Sequence, residues 1–476
     1  MISFASKVSV NKKLLFIFLI GCLIRIIPEI IAYPYPIGYD TINYYIPLAN
    51  EIKFDSLNYQ FNIFPYFIYI LKTFTSLNPY NLIIVLSSIT YGLFSISIYL
   101  LLHVLNVKFD WLMTIFILFQ ISALRTTWDL QKDILALSFT FLIFYFILKD
   151  RNTYYHKNKI IYFGLIISLV ILTIFTDTMI SFLLIISLSI YFIIKKDKKY
   201  IISLGMIITI IVTTFLILIG DNNNNSQISR NINNILNSTI EENVHYSPLN
   251  LVILFIMING LLLPFLFYGL KYLRELLLYI PLGLTLVGSF TWLVLSYSSI
   301  LLPDRWIILS GIFISIFSSY GLVKLSSSSY SFSNYKNKLN YKILIPILST
   351  YILIGLFYMI LPSTHAFPIY GLFYGFTQNF VPITMQFNSI DITDNEDLVM
   401  TIDWLNNNTD SDSIIYGNLY FKGWMEILLK EQRTFKYNNM NYSNNGIYII
   451  LANNINLVNH PVKLLFSQGA FKIIKK

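Results

Sequence analysis

The sequence predicts an α-helical, multi-pass membrane protein with about eleven transmembrane helices and a small C-terminal α/β domain outside the membrane. Its composition is the first reason, because 56% of the 476 residues are apolar, only 12% are charged and the mean hydropathy is +0.64. Soluble domains carry about 25% charged residues, so most of this chain must lie in lipid. The second reason is a change to mixed polar and apolar sequence after residue 362.

The same composition excludes a secreted disulfide scaffold, a disordered chain and a nucleic-acid binder, so no nucleic-acid partner is expected. The net charge of +9 does not alter this, because the position of the basic residues matters more than their sum. Cys22 is the only cysteine, which rules out an internal disulfide and a cysteine metal site. The five histidines lack HExxH spacing, which argues against a zinc hydrolase.

Apolar runs of spanning or nearly spanning length predict the transmembrane helices. The first run follows Lys7, Lys12 and Lys13 but continues to Ala32 without a cleavage site, so it is interpreted as an anchor rather than a signal peptide. Several later runs are short, near 15 residues, and need a locally thin bilayer or protein neighbours. The runs lie at 14–32, 82–102, 110–124, 134–148, 160–176, 178–194, 200–220, 249–269, 280–300, 305–323 and 343–362.

A further apolar run at 62–77 decides the topology. If it does not span, lysine and arginine concentrate on one side, which the positive-inside rule identifies as cytoplasmic. We therefore predict a re-entrant or surface-lying segment, in keeping with its Pro65 and Lys72. The N-terminus is then cytoplasmic, and a first outer loop covers 33–81. All four N-x-S/T sequons then lie outside, at Asn224, Asn237, Asn407 and Asn441.

Residues 1–362 are accordingly predicted as the transmembrane domain, and 363–476 as a linker and a small extracytoplasmic α/β domain. Hydrophobic periodicity predicts the elements of this second domain. Helices are expected at 396–407 and 420–431, with a third at 461–469 that Gly469 caps. Strands are expected at 413–417, 446–452 and 470–476.

Ionisable residues at membrane depth are costly, and they are usually paired or functional, although side chains at helix ends also reach the interface by snorkelling. Asp40 is the most informative of these residues. It follows Pro34, Pro36 and Gly38 in the first outer loop and precedes a tyrosine-rich stretch. A lone carboxylate there is a candidate general base; the alternative is that it caps a helix N-terminus.

The segment RTTWDLQKD at 125–133 carries a second group of charges. Arg125, Asp129 and either Lys132 or Asp133 would lie on one face of a continuous helix and could hold an anionic headgroup. An internal salt-bridge cluster is the alternative. Arg305, at the start of a predicted helix, is a candidate phosphate ligand or simply the partner of Asp304. Asp177 is interpreted as the mark of a turn between two short spans.

The order of these features resembles the GT-C superfamily of polyprenyl-phosphate-dependent glycosyltransferases, in particular archaeal relatives of oligosaccharyltransferases and protein mannosyltransferases. The matching segments are GYDTINYY, PYFIYILKTFTSLNPYN, RTTWDLQKD, LLPDRWIILSGIFISIFSSYGL and the start of the C-terminal domain. The stretch YGNLYFKGW lacks the WWDYG-like motif of oligosaccharyltransferases, so the resemblance does not extend to sequon recognition.

The resemblance implies roles for individual residues. Asp40 would be the first-loop catalytic acid, acting as base or as metal ligand, and Asp129 or Asp133 would be the second acidic residue. Arg125 and Arg305 would bind the lipid-linked phosphate. The predicted binding set for the donor is completed by Lys132, Tyr39 and Tyr44. Whether a divalent cation, Mg²⁺ or Mn²⁺, acts as cofactor is left open, and Asp40 and Asp129 are its candidate ligands.

The predicted function is that of a cell-membrane glycosyltransferase. It would move a sugar from a polyprenyl (dolichyl) phosphate donor to a glycan, lipid or protein acceptor at the outer face. A lipid-linked-sugar flippase or transporter is one alternative, although the nearly charge-free span centres disfavour ion-coupled transport. A non-catalytic envelope scaffold is the other, and it predicts that Asp40 and the 125–133 residues lie apart.

Overall fold

The computed structural model describes most of the chain. The predicted span at 200–220, apart from residue 205, lies outside the described residues, as do Tyr39, the segment 361–393 and the sequons at Asn224, Asn237 and Asn441. The described residues are 2–35, 37–38, 40–51, 63–77, 79–152, 159–196, 205, 248–291, 303–328, 341–360, 394–417, 421–430, 433–437, 447–451 and 463–475.

The secondary-structure elements in the described part of the first domain are all helical. Their bounds are α1 Ile2–Ala32, a π-helix Thr41–Tyr45, α2 Ile46–Glu51, α3 Ile63–Thr75, α4 Pro79–Val104, α5 Asp110–Leu118, α6 Ile121–Asp129, α7 Gln131–Asn152, α8 Lys159–Thr176, α9 Thr178–Lys195, α10 Pro248–Asn259, a 3₁₀ turn Gly260–Leu262, α11 Leu263–Tyr272, α12 Leu276–Phe290, α13 Pro303–Ser328 and α14 Tyr341–Ile360.

The multi-pass prediction is confirmed by the length and apolar character of these helices. Four shorter apolar helices accompany the long ones, at Ile63–Thr75, Ile161–Thr176, Leu276–Phe290 and Leu344–Ile360. Within the described residues, six helical segments are long and apolar enough to cross a membrane: Lys12–Ala32, Pro79–Val104, Gln131–Arg151, Thr178–Lys195, Leu251–Tyr272 and Pro303–Ser326.

The predicted span at 110–124 is not one helix. It divides at Phe119–Gln120 into α5 and α6, which have nine residues each. Backbone groups freed by a break in an apolar setting need new partners, and side chains supply them here. Gln120 Nε2 donates to the carbonyl of Phe116 at 2.9 Å, and the Tyr91 hydroxyl donates to the carbonyl of Leu118 at 2.5 Å. Gln120 lies at the break itself and Tyr91 belongs to α4, and the apolar pattern reveals neither contact.

The segment predicted not to span forms α3, a helix of 13 residues. At 1.5 Å per residue it is about 20 Å long, shorter than the hydrocarbon thickness of about 30 Å. Phe64 and Ile68 of α3 are buried in one cluster with Tyr45, Ile46 and Ala49 of the first outer loop. The short length of α3 and its packing against residues 45–49 support a segment that does not span the membrane. The topology built on this segment stays a prediction.

Within its described residues, the C-terminal domain contains a five-stranded sheet and two helices. The strand order is β2-β1-β3-β5-β4; β1 pairs in parallel with β2 and β3, whereas β5 is antiparallel to β3 and β4. Trp424 is completely buried in its core. The elements are α15 Asn395–Asn408, β1 Ile414–Gly417, α16 Lys422–Leu428, β2 Thr434–Tyr437, β3 Ile447–Leu451, β4 Lys463–Gln468 and β5 Phe471–Lys475.

Five of these elements, α15, β1, α16, β3 and β5, follow the prediction, but the helix predicted at 461–469 is wrong. Its residues 463–468 form β4, which pairs with β5 so that Gln468 lies opposite Phe471. Gly469, at φ +48°, takes a left-handed conformation in the turn that joins the two strands. An apolar run this short does not distinguish helix from strand, and pairing with β5 decides it. The strand β2 was not predicted.

Candidate active site

Four aspartates meet where several helices begin. Asp40 directly precedes the π-helix, Asp133 lies in the first turn of α7, Asp177 caps α9, and Asp304 lies in the first turn of α13. The guanidinium of Arg305 interacts electrostatically with all four carboxylates. Since helix N-termini carry partial positive charge, each carboxylate has a favourable position. These residues define the candidate site, which we call the N-terminal junction.

Asp40 and Arg305 form an ion pair in this junction. The distance from Asp40 Oδ2 to Arg305 Nη2 is 3.8 Å, and the two side chains are 13% and 28% exposed. Asp40 occupies the N-cap position of the π-helix, but its side chain makes no capping hydrogen bond. The alternative interpretation of Asp40 as a helix cap is therefore wrong. Because both side chains reach the surface, a ligand can contact either of them.

Lys132, which is 23% exposed, and the buried Asp133 and Asp177 form a second group of charges in the junction. Lys132 Nζ is 3.4 Å from Asp177 Oδ2. The other oxygen of Asp177 accepts a hydrogen bond of 2.8 Å from the backbone N–H of Ile180, which caps α9. Asp133 is 1% exposed, and its carboxyl group lies within hydrogen-bonding reach of that of Asp177. Asp177 thus does more than mark a turn, because it joins α9 to the predicted site.

The first outer loop is attached directly to this group. Gln131 Nε2, at the start of α7, donates a hydrogen bond of 3.1 Å to Thr41 Oγ1, and both residues are buried. Thr41 follows Asp40 in the chain. The side-chain amide of Gln131 therefore holds the residue next to Asp40 against the helix that carries Lys132 and Asp133.

The structure describes only some of the other predicted site residues. Since α6 ends at Asp129 and α7 begins at Gln131, the continuous helical face predicted for 125–133 is wrong. Arg125 is 2% exposed within α6, whereas Tyr44 is half exposed in the π-helix. The side chain of Asp129, like the whole of Tyr39, lies outside what the structure describes. Asp40, Lys132, Asp133 and Arg305 are the predicted residues that come together.

Sequence reasoning gave Asp304, Gln131 and Thr41 no part in the site. An acidic residue in the first turn of a helix, as at Asp304, is a common feature that suits the helix dipole and does not by itself indicate a site. Gln131 and Thr41 are ordinary polar residues, and only their contact identifies them. The sequence signal that could have identified all three is that each is adjacent in the chain to a predicted site residue, namely Lys132, Asp40 or Arg305.

The divalent cation stays a prediction, because the side chain of Asp129, one of its two candidate ligands, lies outside the described residues. They contain no group of three or more histidine, cysteine, aspartate or glutamate side chains arranged to hold an ion. The carboxylate of Asp40 faces a guanidinium and that of Asp177 faces an ammonium group, and such cations take the place that a metal would need. We therefore derive no metal-dependent step for these residues.

A cavity of about 510 Å³ lies close to the loop, between α2, α3, α4 and the C-terminal helix α16. Ile46 lines it, six residues after Asp40 in one continuous helical segment, which corresponds to roughly 9 Å along the axis. Lys72, Ser76 and Tyr80 are its polar lining residues. The other lining residues are apolar: Leu77, Pro79, Ile427 and Leu428.

Comparison with protein-family models finds no match for the sequence, and comparison with curated proteins finds none either. Solved structures do match. The crystal structure of ArnT from Cupriavidus metallidurans bound to undecaprenyl phosphate aligns over 97% of both chains, with 11% sequence identity and a TM-score of 0.52. The chain has a GT-C fold. The apo form of ArnT from the same organism aligns over 98% of both chains, with 10% identity and a TM-score of 0.48.

The fold class predicted from the sequence is thereby confirmed, including its GT-C-like character. At 11% identity, the likeness to ArnT extends to the fold alone. The narrower resemblance to archaeal oligosaccharyltransferases and protein mannosyltransferases stays a prediction. So does the division into domains at 362 and 363, because residues 361–393 lie outside the described ranges.

Proposed function

We propose that this protein is a membrane glycosyltransferase that moves a sugar from a polyprenyl-phosphate donor to an acceptor at the extracytoplasmic face. The observation that carries the proposal is the partly exposed Asp40–Arg305 pair at the N-terminal junction of a GT-C fold. The ArnT structure with undecaprenyl phosphate supports a donor of this class. The distribution of lysine and arginine supports the extracytoplasmic side.

Arg305 is the proposed ligand of the donor phosphate. Its planar guanidinium can donate two parallel hydrogen bonds to phosphate oxygens. Lys132 already faces Asp177 at 3.4 Å, whereas Arg305 is 28% exposed and its pairing with Asp40 is long at 3.8 Å. A phosphate that binds Arg305 would compete with Asp40 for the guanidinium. Donor binding would therefore release the Asp40 carboxylate for chemistry.

Asp40 is the proposed general base. The acceptor hydroxyl oxygen forms a bond to the anomeric carbon of the sugar, the bond from that carbon to the phosphate oxygen breaks, and the hydroxyl proton moves to Asp40. Polyprenyl phosphate leaves with its negative charge facing Arg305. Stabilisation of this charge by a preorganised cation is usually the larger effect, and a positioned base typically adds about 10²- to 10⁴-fold.

The two alternatives from the sequence predict different arrangements. A non-catalytic scaffold requires Asp40 and the 125–133 residues to lie apart, whereas Gln131 binds Thr41 beside Asp40. This contact weighs against the scaffold. A flippase would move lipid-linked sugar between leaflets without any transfer, so an assay that separates translocation from glycosyl transfer distinguishes it from the enzyme.

Replacement of Arg305 tests the proposal. We expect Arg305→Ala to raise the donor KM by about tenfold or more, because a charge-assisted pair to phosphate is lost. The donor KM of Arg305→Lys should lie between those of Arg305→Ala and the wild type, since lysine keeps the charge but lacks the planar guanidinium. Initial rates with labelled polyprenyl-phosphate sugar in vesicles containing the purified protein give both values.

The matched control is Arg151→Ala. Arg151 pairs with Glu275 at 3.2 Å between α7 and the start of α12, and its side chain is 49% exposed. It lies at the opposite end of α7 from Lys132 and Asp133, so its loss should leave the donor KM unchanged. A normal donor KM in both Arg305 variants would remove Arg305 from the phosphate site.

A further inference from the structure

The residues that follow Asp40 are packed into the C-terminal domain. Ile42 is 2% exposed and belongs to the hydrophobic core of that domain, where Trp424 and Met425 of α16 are also buried. Asn43 adds a polar contact, since its Oδ1 accepts a buried hydrogen bond of 2.9 Å from the backbone N–H of Gly423. Two consecutive residues of the first outer loop therefore contact one helix of the other domain.

Gly423 allows this approach because it has no side chain. A Cβ atom at this position would lie 2.4 Å from the carbonyl oxygen of Ile42 and 2.7 Å from Asn43 Oδ1. The first contact is with backbone, so it cannot be relieved by rotation of a side chain. Any larger residue must push α16 and the loop apart.

The residues before Asp40 contact the same helix. The ring of Tyr35 packs edge-on against that of Trp424, with centroids 5.7 Å apart. On the opposite side, Thr41 accepts a hydrogen bond from Gln131 of α7, and Asp40 faces Arg305 of α13. Tyr35 and residues 40–43 thus lie between α16 and the membrane domain, so that contacts with α16 occur both before and after Asp40 in the chain.

We infer that α16 of the C-terminal domain positions Asp40 against Arg305, with Gly423 and Asn43 as positioning residues. The inference rests on the proposed function, because it assigns a purpose to the location of the proposed base. It makes the C-terminal domain part of the catalytic apparatus rather than an attachment. A misplacement of about 1 Å can cost on the order of 10²-fold in rate.

The chain offers a closely matched control at the other end of α16. Asn406 of α15 is 8% exposed, its Oδ1 accepts from the backbone N–H of Lys430 at 3.0 Å, and its Nδ2 donates to the carbonyl of Leu428 at 2.9 Å. Asn406→Ala and Asn43→Ala therefore each remove amide-to-backbone bonding at α16, which is part-buried for Asn406 and buried for Asn43. Only Asn43 belongs to the loop that carries Asp40.

The experiment compares Gly423→Ala, Asn43→Ala and Asn406→Ala in the full-length protein. We expect kcat to fall by about 10- to 100-fold in the first two, with the donor KM within about threefold of the wild type. Asn406→Ala should keep the kcat of the wild type even if its Tm falls as much as that of the two loop variants. An equal loss of kcat in Asn406→Ala at matched Tm, or an unchanged kcat in both loop variants, would overturn the inference.

Hydrogen exchange of the amides of residues 40–46 gives a readout that does not depend on activity. Exchange should be faster in Gly423→Ala and Asn43→Ala and unchanged in Asn406→Ala. If the wild type shows no transfer but exchange follows this pattern, the proposed function fails while the positioning by α16 stands. Unchanged exchange in the two loop variants contradicts the positioning itself.

Discussion

Asp40→Asn is expected to lower glycosyl transfer by about 10²- to 10⁴-fold, because an amide cannot accept the proton of the acceptor hydroxyl. Folding should be little affected. The Asp40 side chain makes no capping hydrogen bond, its pair with Arg305 is long at 3.8 Å, and Arg305 keeps its interactions with Asp133, Asp177 and Asp304 in the variant. The measurement is kcat with saturating polyprenyl-phosphate sugar, together with the Tm of the purified variant.

The pH dependence gives a second check on Asp40. In the wild type, kcat/KM should fall as the pH decreases, because a protonated Asp40 no longer acts as base. In Asp40→Asn this acidic limb should disappear. Asp403→Asn is the control, since Asp403 is an exposed carboxylate on α15. A wild-type rate in Asp40→Asn, with donor and acceptor both present, would exclude Asp40 as the base.

The second large effect is expected at a buried ion pair in α1. Arg25 and Glu29 are 0% and 1% exposed, and Arg25 Nη2 lies 2.6 Å from Glu29 Oε1. Arg25 also donates to the carbonyls of Thr127 at 2.8 Å and Trp128 at 3.4 Å. These carbonyls belong to the last turn of α6, where the helix supplies no partner. Arg25 therefore caps α6 just before the break that precedes α7.

Arg25→Met should destabilise the protein by about 3 to 5 kcal/mol, because it leaves the carboxylate of Glu29 buried without its cation. The double variant Arg25→Met/Glu29→Leu should cost less than the sum of the two single variants. Unfolding in detergent, followed as a function of denaturant, gives the three free-energy differences that a double-mutant cycle requires.

Arg151→Met provides the comparison for this pair. Arg151 and Glu275 are 49% and 22% exposed, so breaking their pair should cost about 0 to 1 kcal/mol. If Arg25→Met and Arg151→Met destabilise the protein equally, the buried pair has no special role. Glu29 also interacts with the backbone of Ile37, three residues before Asp40, so Arg25→Met should lower turnover as well.

Several elements were predictable because local sequence determines them. The long runs in α4, α7 and α13 have enough apolar residues to require burial in lipid wherever the rest of the chain lies. The helix α15 and the strands β1 and β3 follow from periodicity between clear turn signals. Asp40 was selected for its isolation in a polar loop, and Arg305 for its place at the start of a span.

Other features depend on contacts between elements that the apolar pattern does not reveal. Residues 463–468 form a strand because β5 pairs with them, and at the break in 110–124 the carbonyl of Leu118 accepts a hydrogen bond from Tyr91 of α4. The assembly of the junction is of the same kind. Asp177 and Lys132 meet at 3.4 Å although 45 positions separate them in the numbering.

The sequence by itself determined that the chain is a multi-pass membrane protein with a small α/β domain, because burial of apolar residues and helical periodicity are local properties. Only the tertiary structure decided which charges become neighbours, because it brought Lys132 to Asp177 and Arg305 to Asp40 and placed Gly423 against the loop. The physical reason is that an ion pair or a close backbone contact depends on distances of a few ångströms. Those distances are set by helix packing and by the docking of the two domains. Neither can be obtained from the order of residues in a single sequence.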